Sequence, residues 1–227
     1  MPKRQSCAPG KMTMHGLDWL PLIASGINIT VKVALLSAAL ALMLSGLAGL
    51  GSLSRFAAIR VLCRSYIQVF RSVSLLILLF WLYFALPFAG VGLSKLLSAV
   101  LAIGLNIGAY GAEIVRSAVE AIPKGQLEAS TALNLTPWQR LRLIVLPQAF
   151  VRMMPPMGNL MIELLKSTSL IYFITLADLT YQAMVLRNNY YSWTPAIFGL
   201  LLLTYFLLSA CIIVTVRVLE RKFSEWR

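Results

Sequence analysis

Apolar residues in this chain come in long runs without charge, unlike the alternation of a half-buried strand or the one-sided stripe of a soluble helix. A helix that crosses a bilayer needs about 20 such residues. Five stretches qualify: Leu22 to Leu50, uncharged from Val33 onward; Ser72 to Gly90; Leu96 to Ile114; Met153 to Ala177; and Trp193 to Val216. The fourth is unlike the rest, because Pro155, Pro156, Gly158, Asn159, Glu163 and Lys166 fall inside it. The pattern predicts an all-α integral membrane chain, one transmembrane unit over residues 1–227 with five transmembrane helices. It also predicts that the fourth helix is broken and faces protein or water instead of lipid.

Two of these stretches carry polar residues at helical spacing. In the third, Gly104, Gly108 and Gly111 form a stripe of small residues that lets another backbone approach closely. Asn106, Tyr110 and Glu113 follow the same spacing about half a turn around the helix. Such a stripe lines a cavity, or its first two members bond to a neighbouring span while Glu113 meets water; the spacing allows both. In the fourth stretch Asn159, Glu163 and Lys166 repeat the pattern. A charge at the bilayer centre costs about 2.5–3.5 kcal/mol on insertion scales, so Glu163 and Lys166 either neutralise each other at i, i+3 or meet a partner or a solute.

The connection between the third and fourth stretches, residues 116–150, reads as helix, turn, helix. Pro123 and Gly125 interrupt the helix leaving the third span, and a short helix over Gln126 to Leu133 follows. Asn134 suits the left-handed C′ position that closes it. Thr136 is then an N-cap, Pro137 fits N1, and Gln139 at N3 completes a capping box. The second helix carries Trp138, Leu141, Ile144 and Val145 beside Arg140 and Arg142, and returns to the membrane at Pro147. The short first helix is thereby presented to solvent, as a docking element or as half of an interfacial helix pair.

Composition agrees and adds a direction. The 227 residues are 59% hydrophobic and 12% charged, with a mean hydropathy of +0.80, against about 25% charged in soluble domains. Lys and Arg number 20 and Asp and Glu 8, for a net charge of +12. The basic residues are scattered singly, which argues against nucleic-acid binding. Their distribution sets topology. Arg55, Arg60, Arg64 and Arg71, then Arg116, Lys124, Arg140, Arg142 and Arg152, then Arg217, Arg221, Lys222 and Arg227 share one side; only Lys3, Arg4, Lys11, Lys95 and Arg187 fall on the other. The positive-inside rule therefore puts the C-terminus in the cytoplasm and the N-terminus outside. A cleavable signal peptide is not expected, since the first apolar stretch holds Lys32 and runs to Leu50.

Other chemistry is sparse. Cys7, Cys63 and Cys211 are far apart and suggest neither a disulfide framework nor a zinc site, and His15 is the single histidine. A membrane-embedded enzyme would have only Glu113, Glu163, Lys166 and Asp178 to work with. A stand-alone channel or secondary transporter would show inverted repeats, and five spans do not divide that way. No Gly-x-x-x-x-Gly-Lys-Ser/Thr loop occurs, so this chain holds no nucleotide site of its own.

Glu128-Ala129-Ser130, then Asn134, then Ile144-Val145-Leu146-Pro147 resembles the EAA loop of ABC importer permeases, in which Glu-Ala-Ala is followed by a Gly and an Ile-x-Leu-Pro. Gly108 to Arg116, Ile122-Pro123-Lys124-Gly125-Gln126 and Lys166-Ser167-Thr168-Ser169-Leu170 are similar to the polar amino-acid uptake branch. Ala132 to Arg140, Pro155-Pro156-Met157-Gly158-Asn159 and Ala177-Asp178-Leu179-Thr180 resemble permeases for ectoine and hydroxyectoine. The resemblance implies a permease of the bacterial cytoplasmic (inner) membrane with no catalytic residue and no bound cofactor or metal. ATP and Mg would sit on a cytosolic ATPase dimer, coupled through Glu128, Ala129, Ser130 and Asn134 on a cytoplasmic coupling helix. A second permease subunit, identical or not, and an extracytoplasmic solute-binding protein complete the expected set of partners. The path for a small zwitterion would draw on Asn106, Tyr110, Glu113, Asn159, Glu163 and Lys166, with Lys166 for the carboxylate and Glu113 or Glu163 for the cationic nitrogen. Three departures stand out: Ser130 for the second Ala, Asn134 for the Gly, and Arg71-Ser72-Val73-Ser74 where the branch commonly has Arg-Gly-Thr-Pro.

Overall fold

The computed structural model describes residues 20–224, and the regular structure among them is entirely helical. Lys3, Arg4, Cys7, Lys11 and His15 lie outside the described residues. The helices are α1 (Leu20–Gly51), α2 (Ala57–Ser72), α3 (Leu75–Phe80), α4 (Lys95–Glu120), α5 (Lys124–Ala132), α6 (Pro137–Arg140), α7 (Leu146–Ser167), α8 (Leu179–Asn189) and α9 (Thr194–Ser224). Three helices are long and apolar enough to cross a membrane: Pro21–Gly51, Lys95–Glu120 and Tyr191–Lys222. Two bent pairs, Ala57–Ser72 with Leu75–Ala89 and Pro137–Ile174 with Leu179–Asn189, raise the number to five if each pair is one span.

The centre of the molecule is the α1–α4 pair, and the glycine stripe of α4 is its contact line. A Cβ on Gly104 would lie 2.6 Å from Leu40 Cδ2, one on Gly108 3.0 Å from Leu44 Cβ, and one on Gly111 would collide with Ser45 Oγ. The close approach lets Ser45 Oγ donate across the interface to the Gly108 carbonyl at 3.2 Å. Around this line Val33, Ala41, Ile103, Ile107, Leu160, Leu164 and Ile171 form the main core. Helix α4 runs on to Glu120, well past the Ile114 end expected of the third span.

The breaks do not fall where the prolines do. Pro155 and Pro156 lie inside α7 without ending it. Gly158 fits closely under Val216, and Leu160 and Leu164 are buried, so packing on both sides keeps the helix continuous where two backbone N–H donors are missing. The expected interruption appears further on, where a 3₁₀ segment over Thr168–Ile174 ends at Thr175. Thr175 has φ 56°, a left-handed conformation that a β-branched residue adopts only under constraint. Lys95 Nζ supplies it, donating to the Thr175 carbonyl at 3.2 Å and to Oγ1 at 2.7 Å. The 53° bend into α8 follows.

Pro147 and Pro87 likewise leave their segments helical. Each is preceded by a π turn, Leu141–Val145 and Trp81–Ala85, in which Leu146 N–H bonds to the Leu141 carbonyl and Leu86 N–H to the Trp81 carbonyl. The wider turn shifts the hydrogen-bond register just ahead of the residue that cannot donate. Helix α9 is apolar nearly all round and largely uncovered, with Leu202, Leu203, Phe206, Leu207, Val214 and Val218 exposed. Such a surface requires lipid or another subunit.

Candidate functional site

Two groups of side chains stand out, one along the middle of α4 and one at the end where α4 finishes. Beside the first, the chain bends by 101° between α2, ending at Ser72, and the helical segment that begins at Leu75. A bend of that size strands carbonyls at the end of α2, which cost several kcal/mol each in lipid if unpaired. Helix α4 pairs them. Asn106 Nδ2 donates to the Phe70 carbonyl at 2.7 Å and to that of Val73 at 3.4 Å; Tyr110 Oη donates to the Arg71 carbonyl at 3.2 Å. Tyr66 Oη donates the other way, to the Leu105 carbonyl at 2.8 Å. The polar stripe of α4 therefore binds a neighbouring span, one of the two roles its spacing allows. An Asn106→Leu variant is expected to leave the Phe70 carbonyl orphaned and cost about 1–3 kcal/mol. A lowered unfolding temperature of the detergent-solubilised chain would register it, and an unchanged one would refute the clamp.

Glu113, the third member, does something different. Its Oε1 accepts from Arg116 Nη2 at 2.5 Å and its Oε2 from Arg116 Nε at 3.0 Å, while Arg116 also reaches Glu120 at 2.6 Å. The carboxylate lines a cavity of about 320 Å³ between α4 and α7, together with Ser117, Arg152 and Pro156. Arg152 closes one side by donating to the Ala121 carbonyl.

Helix α7 runs antiparallel to α4, with Leu160 beside Gly111 and Pro156 across the cavity from Glu113. Asn159, Glu163 and Lys166 continue from Pro156 along α7, and all three are exposed on the surface of the chain. Glu163 and Lys166 do not pair with each other, whereas Glu113 pairs with Arg116 and Arg71, and Glu120 with Arg116. Two uncompensated charges on an otherwise apolar span are thus turned outward, toward whatever lies against this face. No group of three or more His, Cys, Asp or Glu that could hold a metal is found among the described residues.

At the other group, α5 is the short helix expected from the sequence. Asn134 has φ 53°, its N–H bonds to the Thr131 carbonyl at 2.9 Å, and Leu135 N–H bonds to the Ser130 carbonyl at 3.1 Å. This is the paired closure of a Schellman motif. The capping box of Thr136 and Gln139 starts α6 immediately afterwards. Arg140 Nη2 ties the two helices by donating to Thr131 Oγ1 at 2.9 Å. Underneath, Leu127 joins a small core of Ala118, Ile122, Val145 and Ala149, so α5 is seated on α4 and on the base of α7 together.

Glu128, Ala129 and Asn134 are exposed on this element. Ser130 is fully buried, with Oγ donating to the Leu127 carbonyl at 2.6 Å, so its side chain serves the helix itself. Leu133 and Trp138, at the turn between α5 and α6, were not singled out as surface residues, yet they are 72% and 66% exposed.

The family model of the binding-protein-dependent transport system inner membrane component matches residues 41–225. This chain belongs to that family. The permease is 41% identical over 224 residues to a probable amino-acid ABC transporter permease, y4tF, of Sinorhizobium fredii, covering 96% of this chain and 94% of that one. It is 33% identical over 216 residues to the glutamine transport system permease GlnP of Escherichia coli, covering 91% and 98%. Among solved structures, the permease superposes on a chain of an amino acid ABC transporter with histidines at a TM-score of 0.84, with 28% identity over 91% of this chain and 96% of that one. The MetNI methionine ABC transporter, at 19% identity and a TM-score of 0.74, shares the fold over 91% of this permease and 98% of that chain.

Proposed function

We propose that this permease forms half of a transmembrane pathway for a small zwitterionic solute, an amino acid or a compact relative such as ectoine or hydroxyectoine. It crosses the inner membrane five times, with the N-terminus outside and the C-terminus in the cytoplasm. A separate ATPase dimer, which carries the ATP and Mg, docks on α5 through Glu128 and Ala129. A second permease subunit covers the exposed charged face of α7, and an extracytoplasmic binding protein delivers the solute. The path runs past Asn159, Glu163, Lys166 and Glu113, with Asn106 and Tyr110 shaping its wall.

The observation that carries this reading is the seating of α5: a capped, exposed helix resting at once on the ends of two spans. A push on it moves α4 and α7 together, and between those helices lies the Glu113 cavity. The names of relatives favour amino acids, among them the L-cystine permease TcyB of Bacillus subtilis, 30% identical over 206 residues. Ectoine presents the same carboxylate and cationic nitrogen in a ring.

The test is co-purification followed by activity. Tagged permease should bring down a P-loop ATPase and a second permease subunit. The reconstituted complex with its binding protein should show ATPase stimulated by one member of a panel of ectoine, glutamine, glutamate, histidine and arginine. A permease that purifies alone and transports on its own refutes the importer; stimulation by an amino acid and not by ectoine removes the ectoine reading.

A further inference from the structure

Arg71 is a full positive charge in the last turn of α2, at the 101° bend that leads into α3. Its carbonyl is held by Tyr110 on α4.

The neighbours position the guanidinium without satisfying it. It sits over the Tyr110 ring, 5.3 Å from the centroid. Its Nη1 is 3.9 Å from Glu113 Oε2, too long for a hydrogen bond, and both oxygens of that carboxylate are already engaged by Arg116. No acceptor among the described residues lies within hydrogen-bond reach of the Arg71 side chain, which is 41% exposed. Five N–H donors in a planar fork are thus held on an aromatic platform beside the Glu113 cavity, unspent. The group that matches such a fork is a carboxylate, bound by two parallel hydrogen bonds. Lys166, the cation favoured from spacing, is a point charge on a flexible stem and cannot make that bidentate match.

We infer that Arg71 is the residue of this chain that takes the carboxylate of the transported solute. The Asn106 and Tyr110 clamp is then a positioning device: by pinning the carbonyls of Phe70 and Arg71 it fixes where the guanidinium points. The inference rests on the zwitterion reading of the function.

The test uses the whole reconstituted complex with its binding protein. The amino acid from the panel above that best stimulates the wild-type complex is compared with its own carboxamide, which keeps size and the cationic amine but cannot bind the fork through two acceptor oxygens. Wild type should transport the free acid at least about tenfold faster than the carboxamide. Arg71→Gln should lose transport of the acid and bring the two to within about twofold, with the complex still assembled. Arg71→Lys should recover part of the rate and little of the discrimination, and it serves as the readout if the glutamine variant fails to accumulate. Wild-type discrimination retained in Arg71→Gln or in Arg71→Lys overturns the inference. So does loss of the second permease subunit from Arg71→Gln, which would make Arg71 an assembly residue. A wild-type complex that no amino acid or ectoine stimulates refutes the functional reading itself, and with it this one.

Discussion

Reversing one charge, Glu128→Lys, is expected to abolish transport while leaving the permease folded in the membrane. The carboxylate is exposed on α5, and none of the contacts that hold α5 in place passes through it. Those contacts are Leu127 in the core beneath, the Ser130 carbonyl and Asn134 in the closing turn, and the Arg140 to Thr131 bond. A surface substitution away from such features changes stability by less than about 0.5 kcal/mol. At the surface of a partner, by contrast, juxtaposed like charges cost several kcal/mol. The measurements are membrane abundance, ATPase activity and solute uptake of the reconstituted complex. Normal abundance with uptake reduced at least about a hundredfold, as several kcal/mol implies, and with ATPase no longer responding to loaded binding protein, is the expected outcome. Uptake that survives the reversal removes α5 as the coupling element.

Gly111→Leu should be as severe for a different reason: the chain should fail to accumulate at all. The space beside Gly111 is filled by Ser45, whose hydroxyl bonds to the Ala41 carbonyl at 2.6 Å and to that of Gly108. Even a Cβ collides there, so a leucine must push α1 off α4 along the line that organises the main core. Overpacking a dense interface costs about 1–3 kcal/mol where neighbours can yield, and more where the obstacle is another helix. Gly46→Leu on α1 is the control, because a Cβ at Gly46 meets nothing within 4 Å. Equal membrane levels for the two variants would mean that the stripe does not set the helix separation.

Several features were legible from neighbouring residues alone. The α5 turn is the clearest, because each of its signals is local: Asn134 in the left-handed position, Pro137 at N1, and Thr136 and Gln139 three residues apart. The glycine stripe was legible as spacing, although its partner, the Leu40 to Ser45 segment of α1, was not. The prolines misled. Pro155 and Pro156 signal a broken helix, and the helix continues, since packing against Val216 and the main core outweighs the missing donors. The actual interruption, at Thr175, depends on Lys95, 80 residues away in sequence. Glu163 and Lys166 at i, i+3 allowed a pair, a partner or a solute; both are exposed, and they do not pair with each other.

The sequence by itself determined which segments are apolar enough to enter a membrane, where the α5 turn closes, and which residues bring charge into the apolar segments. Apolar length, capping chemistry and charge are properties of residues and their near neighbours, so no tertiary contact is needed to read them. Only the tertiary structure decided where the spans bend and what the buried polar groups do there. A helix can bend within a membrane only where another element takes up its freed carbonyls, and that element can come from anywhere in the chain. Asn106 takes the carbonyl of Phe70 across 36 residues, and Arg71, the next residue, stands 3.9 Å from Glu113 at the cavity.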